Sequence, residues 1–250
     1  MKHHFRRKLL NENRLIGTMV TLDSPAVSEL LAQVGFDWLF IDAEHAPFST
    51  RDMQALLQSA GNTPCVIRLV SGTEVAIKKA LDIGAAGIIV PQVNTAEHAE
   101  QIIRMARYSP EGNRGVGIGR AHGYGLKFQE YIDRANEKTA VIVQAEHIEA
   151  VNNIHSIVKV PGIDAVLVGP YDLSASLGKL GKVDDPEVVA AIEKVTEACL
   201  NAGIRLGIFG VTTEAVKPYI EKGYTLIVAG VDTLMLARTA KALLKELKNK

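Results

Sequence analysis

The chain has 250 residues, and its 28 basic and 28 acidic side chains cancel to a formal net charge of zero. A balance of this kind offers no extended basic field, which argues against nucleic acid and against an anionic membrane surface as partners. Apolar residues make up 47% of the chain and no linker rich in proline, glycine or serine divides it. We therefore expect one domain over residues 1–250.

The chain ends and the cysteines point to a cytoplasmic protein. The amino terminus is basic but lacks the apolar stretch of a signal peptide, and no run approaches the roughly 20 apolar residues that cross a bilayer. Cys65 and Cys199 have neither paired spacing nor metal-ligand spacing, which is typical of buried thiols in a reducing compartment. His3 and His4 are interpreted as solvated residues of a frayed terminus.

Eight short apolar runs follow one another along the chain: LIGTMVT, DWLFIDAEH, CVIRLV, AGIIVPQV, AVIVQAEH, AVLVGPYD, RLGIFGV and TLIVAGVD. Most lack alternation, which suits parallel strands covered on both faces, and the segments between them are mostly long enough for a crossover helix. Four of these segments reach a glycine just before the next run, where it can end a helix: Gly35, Gly84, Gly203 and Gly223. The pattern predicts an α/β fold, a (β/α)8 TIM barrel; a doubly wound open sheet is the alternative.

Polar residues gather where the runs end, and barrel enzymes build their active sites at the carboxyl ends of the strands. The residues that follow or close the second, third, fifth and sixth runs are Asp42, Glu44, His45, Arg68, Gln144, Glu146 and Asp172. Neighbouring parallel strands lie about 4.8 Å apart, so Glu146 and Asp172 can share one divalent cation. Two carboxylates in an oxygen-rich shell suit Mg²⁺ or Mn²⁺.

Each of these side chains also has a structural explanation. An arginine at position 68 is costly inside a barrel unless it faces a charge, and an ion pair with Glu146 or Asp172 would satisfy it. His45 could be a loop histidine that is hydrogen-bonded to Asp42. The two acids could form a salt-bridged core, but one arginine leaves them a surplus negative charge that a cation would neutralise. Convergence on one rim favours the metal site.

Two further features bear on the chemistry. None of the eight runs contains a lysine, which argues against an aldolase that works through a Schiff base. The glycine-rich segment RGVGIGRAHGYG lacks both the P-loop lysine pattern and the dinucleotide fingerprint. We interpret it as a mobile active-site loop, with Arg114, Arg120 and His122 at its rim.

The ordered set GFDWLFIDAEHAP, VIRLV, GIIVPQVNTAEHAE, RYSPEGNRGVG, VIVQAE, GPYDLSASLG and AGVDTLMLAR resembles the HpcH/HpaI aldolases of the phosphoenolpyruvate/pyruvate barrel superfamily. The resemblance covers nearly the whole chain. It implies a class II pyruvate aldolase that cleaves a 4-hydroxy-2-oxo acid reversibly to pyruvate and an aldehyde, with Mg²⁺ or Mn²⁺, or Co²⁺ in their place. A citrate-lyase-like cleavage of a CoA thioester and a non-catalytic oxo-acid-binding barrel remain as alternatives.

The same resemblance assigns roles to single residues. Glu146 and Asp172 correspond to the metal ligands, His45 to the acid/base and Arg68 to the cation that stabilises the enolate. The substrate contacts that it implies are Gln144, the backbone beside Tyr171, Asp172 and Arg68. Asp42 is the local candidate to orient His45, whereas the resemblance points to Asp82. From its place near a helix end, Asp82 could reach a site only across a subunit contact.

The last segment, LMLARTAKALLKELKNK, has the pattern of an amphipathic helix whose leucine and alanine face must be covered. The family resemblance implies an oligomer, a hexamer, in which this helix is exchanged onto a neighbouring barrel. Packing on its own barrel is the alternative.

Overall fold

The computed structural model of the chain describes residues 5–248, so His3 and His4 lie outside the described residues. Eight parallel strands close into a barrel in the order β1 to β8. The strands are β1 Leu15–Val20, β2 Trp38–Asp42, β3 Cys65–Arg68, β4 Gly87–Val90, β5 Ala140–Ala145, β6 Ala165–Val168, β7 Arg205–Gly210 and β8 Leu226–Val231. Every predicted run contains one strand, and closure excludes the open sheet.

Helices alternate with the strands over the described residues. They are α1 Phe5–Asn11, α2 Pro25–Val34, α3 Thr50–Ser59, α4 Glu74–Asp82, α5 Ala96–Ala106, α6 Phe128–Lys138, α7 Ile148–Ile157, α8 Pro170–Ser176, α9 Pro186–Ala202, α10 Thr213–Glu221 and α11 Asp232–Lys248. A short 3₁₀ turn, Arg120–His122, precedes α6. No helix within residues 5–248 is long and apolar enough to span a membrane.

The four glycines expected to end helices do so for the predicted reason. Their φ angles are 101° at Gly35, 95° at Gly84, 70° at Gly203 and 94° at Gly223, all in the left-handed region. Cys65 and Cys199 are buried free thiols, as predicted, and burial raises the pKa of each to about 12.

The core has two parts. One fills the space between the strands and the surrounding helices, and the other fills the barrel itself. At the amino-terminal mouth of the barrel, α1 inserts Phe5 and Leu9, and the Phe5 ring lies 5.6 Å from that of Trp38. Apolar packing therefore fills the barrel interior at this end, and the polar side chains of the interior collect at the other end.

The final helix forms over Asp232–Lys248 and is amphipathic, as predicted, but only its first turns contact its own barrel. Along its length, residues 236–248 are all exposed, Leu243 and Leu247 among them. The alternative in which α11 covers its own barrel is therefore wrong.

Candidate active site

The side chains at the carboxyl end of β2 and β3 continue the rows that fill the barrel. Along a strand, every second residue faces inward. Trp38 and Phe40 lie in the interior cluster on β2, so Asp42 is the next inward position; Val66 on β3 is likewise followed by Arg68. Register then places Asp42 beside Arg68. The strand pattern thus places the Asp42 carboxylate and the Arg68 guanidinium at the same rim.

Arg68 is buried, and its guanidinium forms two hydrogen bonds with Asp42. Its Nε lies 2.9 Å from Oδ1 of Asp42 and its Nη2 lies 2.8 Å from Oδ2, a bidentate pair. Glu44 adds an oxygen 3.2 Å from Nε, and the guanidinium carbon stands 5.3 Å from the centre of the Phe40 ring. The partners of Arg68 are therefore Asp42 and Glu44, and the ion pair with Glu146 or Asp172 that the sequence suggested is not formed.

Glu146 is the buried acid of the site. It follows β5, on the inward row that runs through Ile142 and Gln144, and is 2% exposed. Its Oε1 accepts a hydrogen bond from the backbone N–H of Gln92 at 2.8 Å, and its Oε2 accepts one from the side-chain amide of Gln144. Burial raises the pKa of Glu146 to about 7, and the negative charges of Glu44 and Asp172 add to that rise.

Two residues that support Glu146 escaped the sequence interpretation. Gln92 has a φ of 54°, rare for a residue with a side chain, and so aims its N–H at the carboxylate. Gly169 follows β6, where a Cβ would lie 3.0 Å from the Cβ of Glu146 and 3.3 Å from the amide nitrogen of Gln144. The sequence signals are VPQV and VGP, and neither pattern is specific without the neighbouring strand.

Asp172 stands in the first turn of α8, directly beyond β6, and is exposed. Its negative charge raises the pKa of both Glu146 and Glu44, and burial is the larger cause at each. The side chain of Tyr171, beside it, is also exposed. The structure thus brings Glu44, Glu146 and Asp172 within electrostatic range of one another, with Arg68 as the nearby cation.

His45 lies at the same rim with its side chain 67% exposed and its Nε2 3.7 Å from Oε2 of Glu44. Asp42 accepts a hydrogen bond from the backbone N–H of His45 at 3.4 Å, while its two oxygens bind Arg68. The expected contact between Asp42 and the imidazole is not formed, so Asp42 fixes the loop rather than the ring. Glu44 is the nearer acid.

Asp82 lies at the other end of the barrel. It is the last residue of α4, and its Oδ1 is 2.6 Å from Nη2 of Arg114. Arg114 is buried, 4.6 Å from the centre of the Tyr108 ring. Within one chain, Asp82 therefore does not meet His45, in agreement with the expectation that it could act only on a neighbouring subunit.

The interpretation of RGVGIGRAHGYG as a loop at the rim of this site is wrong for a single chain. The segment follows α5 and leads into α6 and β5, so it lies at the amino-terminal end of the barrel. There Nη1 of Arg120 donates to the carbonyl of Ile83 at 2.8 Å, and the His122 side chain is fully buried against aromatic rings. A crossover connection after a helix returns to the bottom of the barrel, which the local glycine pattern did not reveal.

Comparison with known proteins identifies the family. The model of the HpcH/HpaI aldolase/citrate lyase family matches residues 15–239. The chain belongs to this family.

The relatives agree over nearly the full length. A hydroxypyruvate/pyruvate aldolase of Pseudomonas aeruginosa is 39% identical over 245 residues, which are 96% of this chain and 91% of that protein. A 4-hydroxy-2-oxo-heptane-1,7-dioate aldolase of Escherichia coli is 39% identical over 97% of this chain and 94% of its own length. The crystal structure of an HpcH/HpaI aldolase/citrate lyase family protein from Burkholderia cenocepacia superposes with a TM-score of 0.94, at 36% identity, covering 97% of this chain and 98% of that one. The predicted family and barrel are confirmed.

Within this family member, the described residues 5–248 contain no group of three or more histidine, cysteine, aspartate or glutamate side chains placed to hold a metal ion. His147, next to Glu146, caps α7 instead: its Nδ1 accepts a hydrogen bond from the backbone N–H of Glu149 at 3.2 Å.

Proposed function

We propose that the chain is a class II pyruvate aldolase, a carbon–carbon lyase that cleaves a 4-hydroxy-2-oxo acid reversibly to pyruvate and an aldehyde. The observation that carries the proposal is the buried carboxylate of Glu146 at the same rim as Arg68, His45 and Asp172. Relatives named as aldolases, 39% identical over almost the whole chain, support the same reaction class.

The residues present fit a divalent cation. Glu146 and Asp172 would hold it, and Gly169 keeps the space beside Glu146 and Gln144 free of a side chain. The buried Oε1 of Gln144 has no hydrogen-bond partner among the described residues, which leaves an acceptor for a water or a substrate hydroxyl. Mg²⁺ and Mn²⁺ suit two carboxylates with further oxygen ligands, and Co²⁺ is an acceptable substitute. When bound, the cation would polarise the 2-oxo group of the substrate.

Arg68 would stabilise the enolate. Its hydrogen bonds to Asp42 use Nε and one hydrogen of Nη2, so Nη1 and the second hydrogen of Nη2 are left to donate to a substrate oxygen. Asp42 and Glu44 also keep the guanidinium charged. Burial lowers the pKa of Arg68, but these carboxylates raise it by more. A fixed cation that cannot lose its proton suits an oxyanion that forms during the reaction.

His45 would move the proton. Its imidazole is exposed at the rim, 3.7 Å from the carboxylate of Glu44, where it would be accessible to a substrate. Gln144 and the backbone beside Tyr171 would contact the oxo acid. Asp82 would orient His45 only from a neighbouring copy of the chain.

A product screen tests the proposal. The protein is incubated with 4-hydroxy-2-oxo acids of differing chain length, and pyruvate is detected by a coupled assay. We expect release of pyruvate that a chelator abolishes and that Mg²⁺, Mn²⁺ or Co²⁺ restores. Borohydride trapping of a pyruvate adduct on the protein would contradict the metal-dependent mechanism.

The two alternatives give different outcomes in the same assay. A CoA-thioester lyase would release a CoA product from a citrate-like thioester and leave the free oxo acids intact. A binding protein would retain oxo acids without turnover. The exposed acid/base at His45 beside Arg68 favours catalysis, because binding alone does not need a proton carrier. A cytoplasmic location and a hexameric assembly are further parts of the proposal.

A further inference from the structure

A cavity lies at the end of the barrel opposite the candidate active site of the same chain. It has a volume of about 850 Å³ and opens among the amino-terminal ends of β3, β4 and β5, beside α1 and the 3₁₀ turn. This volume is within the range of about 300–1,000 Å³ that small-molecule sites occupy. None of the residues assigned to the aldolase reaction lines it.

The charges around the cavity are all of one sign. Lys8, Arg120 and Lys138 line it, and among residues 5–248 no aspartate or glutamate does. Lys8 has a weak ion pair, 3.9 Å from the exposed Glu12 just beyond α1. Three cations around one concave surface attract anions, and the low-dielectric walls strengthen that attraction.

Arg120 is held in place at the wall. Its Nη1 donates to the carbonyl of Ile83 at 2.8 Å, and a Cβ on Gly84 would come within 2.8 Å of the same nitrogen. Gly84 therefore makes room for the guanidinium as well as ending the turn after α4. The His122 ring, buried between Phe128 and Tyr131, anchors the 3₁₀ turn that carries Arg120.

The remaining walls define the rest of the ligand. Apolar surface comes from Phe5, Leu57, Pro64 and Ala85, and Tyr124 and Tyr131 bring aromatic rings and hydroxyl groups. A cavity of this size with three cations and an apolar floor suits an organic molecule that carries two negative charges on a short carbon framework. Inorganic phosphate alone would leave most of the space unfilled.

We propose that this cavity is a binding site for a small organic dianion, a dicarboxylate or a phosphate ester, separate from the active site. Within one chain the two sites lie at opposite ends of the barrel, so the dianion binds without displacing that chain's own oxo acid. The proposal does not rest on the aldolase function, since it uses neither the residues nor the reaction of that site.

Isothermal titration calorimetry tests the proposal on the full chain, with saturating pyruvate and Mg²⁺ present to fill the active site. The probes are glutarate, as the dicarboxylate, and glycerol 3-phosphate, as the phosphate ester; the tighter of the two identifies the anionic group. We expect binding of one probe, weakened about 10-fold or more when Lys8→Gln and Lys138→Gln are combined. Lys194→Gln, an exposed lysine on α9, is the matched control and should change nothing.

Each other result overturns the proposal. Neither probe binding at millimolar concentration would mean that the cavity holds no such ligand. Equal affinity in the double variant and the parent would place the probe elsewhere. Binding that appears only when pyruvate is left out would assign the probe to the active site. We expect the double variant to fold, since both lysines are partly exposed on helices. Far-UV circular dichroism and a thermal melt check this.

Discussion

Glu146 shows how one residue can be unfavourable for folding and useful for chemistry. Its carboxylate is buried, accepts two hydrogen bonds and has two other acids near it. An ionised group in that setting is costly without a counter-charge. The charge becomes an advantage when a cation binds, because a desolvated carboxylate is a strong ligand.

The first prediction concerns the pH dependence of stability in protein stripped of metal by a chelator. The pKa of Glu146 is about 7 in the folded chain and 4.5 in its ordinary state. Between these values the unfolded chain has already lost a proton that the folded chain keeps. The free energy of unfolding therefore falls as pH rises from about 4.5 to 7, by at most about 3 kcal/mol from this group.

Urea unfolding at pH 5, 6, 7 and 8 measures this slope. Glu146→Gln, which has no proton to lose at position 146, should flatten it, and saturating Mg²⁺ should reverse it in the parent by binding the ionised form. Equal slopes in the parent and the variant would show that Glu146 titrates normally.

The second prediction concerns Arg68. Arg68→Ala should lose both aldol cleavage and exchange of the pyruvate methyl protons, because both reactions pass through the enolate. Deuterium exchange into pyruvate, followed by NMR, measures the second reaction. Arg68→Lys keeps the charge but not the bidentate pair with Asp42, so we expect partial rescue. Full exchange in the folded Arg68→Ala variant would contradict the role of Arg68 in stabilising the enolate. Its folding needs a check, since it leaves the buried Asp42 unpaired.

The third prediction concerns His45, whose exposed side chain can be removed with little effect on stability. If the imidazole acts on the 4-hydroxyl of the substrate, His45→Ala should lower cleavage by about 10² to 10⁴ and affect exchange less. If it acts on the methyl proton of pyruvate, exchange falls equally. An unchanged rate of cleavage would remove His45 from the mechanism.

At the scale of elements, the site depends on the turn between β6 and α8. Gly169 has φ −108° and ψ 86°, a conformation that alanine can adopt, so its importance lies in the space it leaves. That space is bounded by Glu146 and Gln144. The turn brings Asp172 towards Glu146 from a neighbouring strand, as parallel pairing of β5 and β6 requires.

The fourth prediction is that Gly169→Ala weakens Mn²⁺ binding and lowers kcat/KM by about 10- to 100-fold, because the added methyl displaces Glu146. Calorimetry with Mn²⁺ and the pyruvate assay measure the two effects. Gly117→Ala is the matched control, since a Cβ there meets nothing within 4 Å. Parent-like metal affinity in Gly169→Ala would show that the site does not need this space.

At the scale of the whole molecule, α11 is the part that a single barrel leaves incomplete. Leu243 and Leu247 on α11 are 62% and 64% exposed, and Leu30 and Val34 on α2 are exposed as well. Apolar surface of this extent is typical of a contact between subunits. A second copy that received α11 would bury these side chains, and a subunit contact could also bring Asp82 to a neighbouring His45.

The fifth prediction is that the chain forms an oligomer in solution at micromolar concentration, measured by light scattering. Leu243→Glu combined with Leu247→Glu should dissociate it, because charge on the apolar side of α11 prevents burial. Lys245→Glu on the same helix is the control for charge alone. A monomeric parent would remove both the exchange of α11 and the role of Asp82 across a subunit contact.

The sequence by itself determined the barrel, because its evidence is local and repeated. Eight apolar runs predict eight strands, and left-handed glycines such as Gly35 and Gly84 mark where helices end. The set of charged residues at the rim was also predictable, since a residue that follows a strand lies at its carboxyl end whatever its partners are. Glu146 and Asp172 needed no more than their place in the chain.

Only the tertiary structure decided which residues of the chain contact one another. Arg68 pairs with Asp42 rather than with Glu146, because strand register sets which inward side chains are neighbours. Gln92 supports Glu146 through a backbone N–H, and a main-chain donor leaves no mark in residue type. The segment around Arg120 lies at the far end of the barrel because the chain crosses the fold between β4 and β5. Contacts of this kind join residues far apart in sequence, and local pattern carries no information about which pair will meet.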